Sequence, residues 1–306
     1  MDIFLHLFQN LVPLYGLIAL GWLAGRFCNV DRESLANLAI YIVVPFVSFY
    51  YIASLEFKAS YILLPFVVFA LCTAVTLGFY QIGRMIYSDK QANLLAMCAA
   101  APNAGYFGLP LAILLLPPEW VGVYVFSLTG SLICESTIIY YIANRGNFSP
   151  WQSILRVLKF PVVHAIILGL IFTTLGWSLP EVLDPYWEYF KGSYVVLGMM
   201  IIGCSLSNLS KFVVGIKFTS LTFLGKFAAW PLLTLLFIYC DQSYLGWFEA
   251  EIYKLLMVLA IVPPAANMAA FAAQLNLEPE KAATTILLST IFALFYIPLV
   301  LMFTPF

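Results

Sequence analysis

Apolar residues in this chain come in ten long runs, with short polar connectors between them. A bilayer core takes about 20 apolar helical residues to cross, so the pattern predicts ten membrane-spanning helices. In the first half they fall at about Ile3 to Ala24, Leu35 to Leu55, Tyr61 to Met85, Gln91 to Leu116 and Val121 to Ala143. In the second half they fall at about Phe160 to Trp177, Phe190 to Leu206, Thr219 to Cys240, Ile252 to Leu275 and Ala282 to Phe303. The first run lacks a basic leader and is too long for a cleaved signal segment, so it reads as a retained span.

The fourth and ninth runs are interrupted. The fourth carries Ala101-Pro102-Asn103-Ala104-Gly105-Tyr106-Phe107-Gly108-Leu109-Pro110 in its middle, and the ninth carries Ile261-Val262-Pro263-Pro264-Ala265-Ala266-Asn267. Proline has no N–H and clashes with the preceding turn, and Gly105 adds backbone freedom. A helix broken there exposes backbone groups that lipid cannot satisfy, so the break must face protein or a water-filled cavity. Two interrupted spans at corresponding places in two halves point to a transporter substrate site.

Charge sets the orientation. Ten of the 14 Lys and Arg residues fall on alternate connectors on one side: Arg26, Arg32, Arg84, Lys90, Arg145, Arg156, Lys159, Lys211, Lys217 and Lys281. Lys58, Lys191 and Lys254 fall on the other side, and Lys226 lies inside the eighth span. The richer side is expected to be cytoplasmic, which puts both termini of an even-spanned inner-membrane protein outside. Trp120, Tyr186, Trp187 and Trp247 near outer ends fit an interfacial belt. The polar stretch from Asn144 to Pro150 divides the spans five and five. The expected organisation is therefore residues 1–143, a cytoplasmic connector at 144–155, and residues 156–306. Five is odd, so the second half enters from the opposite side and the halves read as inverted repeats.

Composition narrows the class and chemistry further. Hydrophobic residues make up 63% of the 306 and charged ones 9%, far more apolar surface than a soluble domain can hide. The six cysteines are scattered without metal-ligand spacing and read as small buried hydrophobes. Intramembrane zinc or aspartyl proteases need His-Glu-x-x-His or paired Asp residues, and neither pattern occurs in the chain. The expectation is a non-enzymatic membrane protein with no cofactor, no metal and no nucleic-acid partner. A channel is disfavoured because no repeat of filter residues appears. A ligand-binding sensor stays open as the alternative to a transporter.

The motifs resemble the auxin efflux carrier family, which holds bacterial permeases and the plant PIN carriers. Asn103-Ala104-Gly105-Tyr106-Phe107-Gly108-Leu109-Pro110-Leu111 is similar to the family's fourth-span pattern, with Ala104 where Thr is common. Pro264-Ala265-Ala266-Asn267, Leu287-Leu288-Ser289-Thr290 through Pro298, Gly203-Cys204-Ser205-Leu206, and Lys226 with Pro231 resemble its ninth, tenth, seventh and eighth spans. The resemblance implies crossover helices that meet at the two breaks. It implies a scaffold of spans 1, 2, 6 and 7, and a moving transport domain of spans 3 to 5 and 8 to 10. It also implies an elevator-type carrier of small organic anions, such as auxin, malate or malonate. Scaffolds of this kind often offer a lipid-facing surface for a homodimer.

The residues themselves lead to similar chemistry. A broken helix presents a new N-terminus with free N–H groups and partial positive charge, which suits a carboxylate. The expected substrate-binding residues are Pro102, Asn103, Ala104, Gly105, Tyr106, Pro263, Pro264, Ala265 and Asn267. Asn103 and Asn267 either contact substrate or only satisfy freed backbone groups. Glu135, inside the fifth span, is either a proton carrier or part of a structural pair. Lys226 is expected to snorkel to the cytoplasmic face; otherwise it pairs with Glu135 or attracts the anion. His164 and His6 read as packing and interfacial residues, and Pro45 as a kink beside the cavity.

Overall fold

The computed structural model describes residues 2–87, 89–144, 158–207 and 211–303. The predicted connector lies outside the described residues apart from Asn144. Among the described residues the elements are helical. They are α1 (Asp2–Phe27), α2 (Arg32–Ala53), α3 (Ala59–Ile86), α4 (Asp89–Ala100), α5 (Ala104–Leu115), α6 (Pro118–Ala143) and α7 (Pro161–Thr174), followed by α8 (Glu181–Ser207), α9 (Ile216–Leu245), α10 (Ala250–Ile261), α11 (Asn267–Gln274) and α12 (Pro279–Phe303). Seven of these, α1, α2, α3, α6, α8, α9 and α12, are long and apolar enough to cross a membrane. The protein is thus a multi-pass helical membrane protein.

Local chemistry sets several of these boundaries. Asp31 caps α2, its carboxylate accepting from the Ser34 hydroxyl at 2.7 Å and the Ser34 N–H at 2.8 Å. Those bonds hold the Asp31 carboxyl below its usual range. Pro45 lies two residues beyond a wide π turn at Ala39–Val43, where the helix accommodates the hydrogen bond that proline cannot donate. The run from Phe160 to Trp177 gives a shorter helix than expected. Pro161 opens α7, and Gly176 adopts φ of 67° just beyond Thr174. Trp177 N–H then closes back on Phe172 O at 3.0 Å, a glycine-based helix stop.

Helices pack through small residues, as expected where lipid supplies no hydrophobic drive between them. α1 lies along α8, and a Cβ on Gly203 would sit 2.0 Å from Ile18 O. α6 meets α3 at Gly130, where a Cβ would sit 2.1 Å from Pro65 O. Aromatic pairs add to the contact between α2 and α8. Phe46 stacks on Phe190 with centroids 4.0 Å apart, and Tyr50 stacks on Trp187 at 4.1 Å. Trp187, assigned from sequence to an interfacial belt, is therefore buried against α2. Thr173 of α7 donates its hydroxyl to Leu55 O, at the end of α2.

Candidate functional site

The two interruptions lie side by side. Pro102 and Pro264 face each other as an isolated antiparallel pair. Asn103 N–H donates to Pro263 O at 2.8 Å, and Ala265 N–H donates to Ala101 O at 2.9 Å. Prolines suit the facing positions because residues in such a non-hydrogen-bonded pair donate no N–H to each other. The unwound segments thereby satisfy part of each other's backbone, which lipid could not do.

Four helix ends converge there. α4 and α10 arrive with their C-termini; α5 and α11 leave with their N-termini. The carbonyls of the arriving ends are capped from α9. Trp230 Nε1 donates to Ala100 O at 2.8 Å, and Lys226 Nζ donates to Ala260 O at 3.0 Å. The first turn of α5 is a π turn at Ala104–Gly108. Its carbonyls accept from two tyrosines: Tyr124 of α6 donates to Ala104 O at 3.0 Å, and Tyr194 of α8 donates to Gly105 O at 2.8 Å. Gly108 leaves the room Tyr124 needs, since a Cβ there would sit 2.2 Å from the Tyr124 hydroxyl.

A cavity of about 200 Å³ opens beside the two departing N-termini. The break of α4 and α5 lines it with Pro102, Asn103, Ala104, Gly105 and Tyr106, and the other break lines it with Ala265 and Asn267. Glu135 and Ser136 of α6, Ser48 of α2, Tyr194 of α8 and Phe271 of α11 complete the polar and aromatic wall. Asn103 Oδ1 accepts from Phe107 N–H at 3.3 Å, while Asn103 Nδ2 is buried with no hydrogen-bond partner among the described residues. Asn267 and the Glu135 carboxyl line the same cavity from α11 and α6. Glu135 is half-buried and opens another π turn, Glu135–Ile139. Such turns recur where a helix serves a site rather than only packing. No Lys or Arg is among the described lining residues, although Arg32 of α2 lies within electrostatic reach of the Tyr106 hydroxyl.

The structure thus gathers seven of the nine expected binding residues, with Glu135, around one space. Pro263 and Pro264 do not line it; they form the paired backbone behind it. Lys226 corrects an expectation. It does not snorkel, being 0% exposed, and among the described residues no ion pair joins it to Glu135. Its reach is used on the Ala260 carbonyl because a helix C-terminus offers the ammonium partial negative charge inside the protein. His164 Nδ1 lies 3.2 Å from Phe160 O and is exposed, and His6 lies 3.2 Å from Asn10. Both lie away from the cavity lining. Of the cysteines, Cys72, Cys98, Cys134 and Cys204 are buried, while Cys28 is exposed and Cys240 intermediate. Tyr194 and Tyr124 were not singled out in the sequence. Their signal is a hydroxyl-bearing ring in mid-span, where a donor needs a partner.

Comparison with known proteins gives a consistent class. A family profile described as membrane transport protein matches residues 148–301. An uncharacterized transporter of Methanocaldococcus jannaschii is 28% identical over 204 residues, 62% of this chain and 66% of its own length. Auxin efflux carrier component 8 of Arabidopsis thaliana is 27% identical over 139 residues, 44% of this chain and 36% of its own length. An uncharacterized transporter of Methanothermobacter thermautotrophicus is 22% identical over 304 residues, 97% of this chain and 98% of its own length. The matches span under two thirds of the first two relatives.

Proposed function

The chain belongs to the membrane transport protein family of auxin efflux carrier type, and from that premise we propose that it is a secondary transporter of small organic anions. The observation that carries this reading is the buried Asn103 Nδ2, unpartnered among the described residues, at a cavity shared by two half-helix N-termini. Each N-terminus contributes roughly half a positive charge, so the two together balance about one negative charge. With no Lys or Arg among the described lining residues, that favours a monocarboxylate over a dicarboxylate. Tyr106 and Phe271 supply aromatic faces suited to an indole-sized acid such as indole-3-acetate. Malate and malonate are the competing candidates.

The cycle in this reading is alternating access of the elevator type. Ten spans, counting α4 with α5 and α10 with α11 as single broken crossings, form two inverted five-helix repeats. α1, α2, α7 and α8 act as the scaffold, and the remaining helices carry the site across. The protein works as a homodimer in the inner (plasma) membrane with both termini extracytoplasmic. Crosslinking within membranes that yields only monomer overturns the dimer.

Glu135 carries the coupled proton. An anion entering beside an ionised carboxylate meets like-charge repulsion, so anion binding and Glu135 ionisation oppose each other. Glu135→Gln is therefore expected to flatten the pH dependence of flux while leaving the protein folded. An unchanged pH profile returns Glu135 to a structural role.

The test of the whole reading is uptake into proteoliposomes of labelled indole-3-acetate, malate and malonate. A proton gradient and a membrane potential are imposed separately. Saturable flux of one anion supports transport, and the gradient that drives it separates proton coupling from uniport. Binding without flux of any anion overturns transport in favour of a sensor.

A further inference from the structure

Lys226 is a buried ionisable group that the cavity does not use. It sits in the π turn Leu224–Ala229 of α9, where the widened turn re-aims a side chain. Its ammonium meets Ala260 O at 3.0 Å and stands 4.6 Å from the centroid of the Trp230 ring. Trp230, one turn further along α9, holds Ala100 O. One face of α9 thus closes both helix C-termini that arrive at the breaks. Among the described residues no carboxylate forms an ion pair with Lys226. Its counter-charge is a helix end and the negative face of an indole.

That position has a chemical meaning. In carriers built on broken helices, C-terminal helix ends and unwound carbonyls are where a coupling cation is held. The end of α10 offers such carbonyl oxygen, and one ammonium already occupies it. The single positive charge that Lys226 places there matches a monovalent cation rather than a divalent one.

We propose that Lys226 is a resident cation filling a latent alkali-cation position at the C-terminal ends of the paired breaks, so that substrate binding needs no alkali ion. The proposal rests on the reading of the breaks as the substrate site. It predicts that removing the ammonium opens a position that sodium or potassium can fill.

The experiment is a thermal melt of the purified full-length protein in NaCl, KCl, LiCl and choline chloride at equal ionic strength. Wild type, Lys226→Ala, Lys226→Met and Lys226→Arg are compared, followed by indole-3-acetate and malonate binding in the same salts. The wild type and Lys226→Arg are expected to melt alike in all four salts. Lys226→Ala is expected to fall by several degrees in choline and to recover, saturably, in at least one alkali salt. Ligand that binds only the folded state stabilises it in this saturable way. Lys226→Met keeps the apolar stem and serves if the alanine variant does not fold. A wild type whose stability or substrate binding requires an alkali ion overturns the proposal. So do Lys226 variants that melt alike in every salt, or that fail to fold in all of them, because an open cation position would be rescued by salt. The melt reads the cation position without any substrate. Failure of the transport reading therefore leaves this result interpretable.

Discussion

Asn103→Ala is expected to weaken binding of the transported anion by about 10- to 150-fold while the protein remains folded. Hydrogen bonds to charged groups contribute about 1.5–3 kcal/mol, which converts to that range. The Asn103 side chain is divided between two tasks. Its Oδ1 accepts from Phe107 N–H at 3.3 Å and so caps α5, and its Nδ2 is buried without a partner among the described residues. A buried, unpaired donor is costly unless something accepts from it, and a carboxylate in the cavity is the acceptor this position fits. Alanine removes both tasks, so part of its effect is the loss of a cap, about 0.5–2 kcal/mol of stability. Asn103→Asp separates them. Aspartate keeps the capping oxygen and suits a helix N-terminus, yet it sets a second oxygen against the incoming anion. It is expected to melt like the wild type and to bind no anion. Isothermal titration with the transported anion, beside thermal melts of both variants, makes the check. Wild-type affinity in either variant moves the site away from the paired breaks.

The breaks were legible because their cause is local: Pro102, Asn103 and Gly105 in one apolar run, and Pro263-Pro264 in another. Their pairing was not, since a bridge between Pro102 and Pro264 joins residues far apart in sequence and leaves no periodicity to read. Only resemblance to a family suggested that the two should meet. Glu135 stood out by the cost of a carboxylate in mid-span, and the cavity does include it. Lys226 stood out for the same reason but was misplaced. A lysine two turns from a helix end has the reach to snorkel, and nothing local reveals a carbonyl waiting on α10. The tyrosines that hold Ala104 O and Gly105 O were missed because their partners are backbone atoms of another helix. Backbone acceptors carry no residue signature. The helix α7 was found but its end was overrun, because hydropathy alone extends a helix through Gly176, where a positive φ follows its last turn.

Gly203→Leu is expected to abolish the folded protein, as read by a monodisperse peak on size exclusion and a cooperative melt. A Cβ at Gly203 would lie 2.0 Å from Ile18 O and 2.6 Å from Trp22 N, and one at Gly21 would lie 2.2 Å from Met200 O. The obstructing atoms are backbone of α1 and α8, so no rotamer change relieves them. Only separation of the two helices would. Separation also breaks the contact between Cys204 Sγ and Gly21 O at 3.1 Å. Overpacking a core ordinarily costs about 1–3 kcal/mol, and a helix–helix seam forced apart along its length exceeds that. The consequence reaches the site, because α8 also carries Tyr194, whose hydroxyl holds the first turn of α5 at Gly105 O. Gly16→Ala on the opposing helix α1 is the control. A Cβ there meets nothing within 4 Å, and alanine in a helix interior is favoured over glycine by up to about 1 kcal/mol. It is expected to melt no lower than the wild type. Gly203→Leu melting like the wild type would mean that α1 and α8 do not approach this closely. Tyr194 would then have no fixed platform from which to position the site.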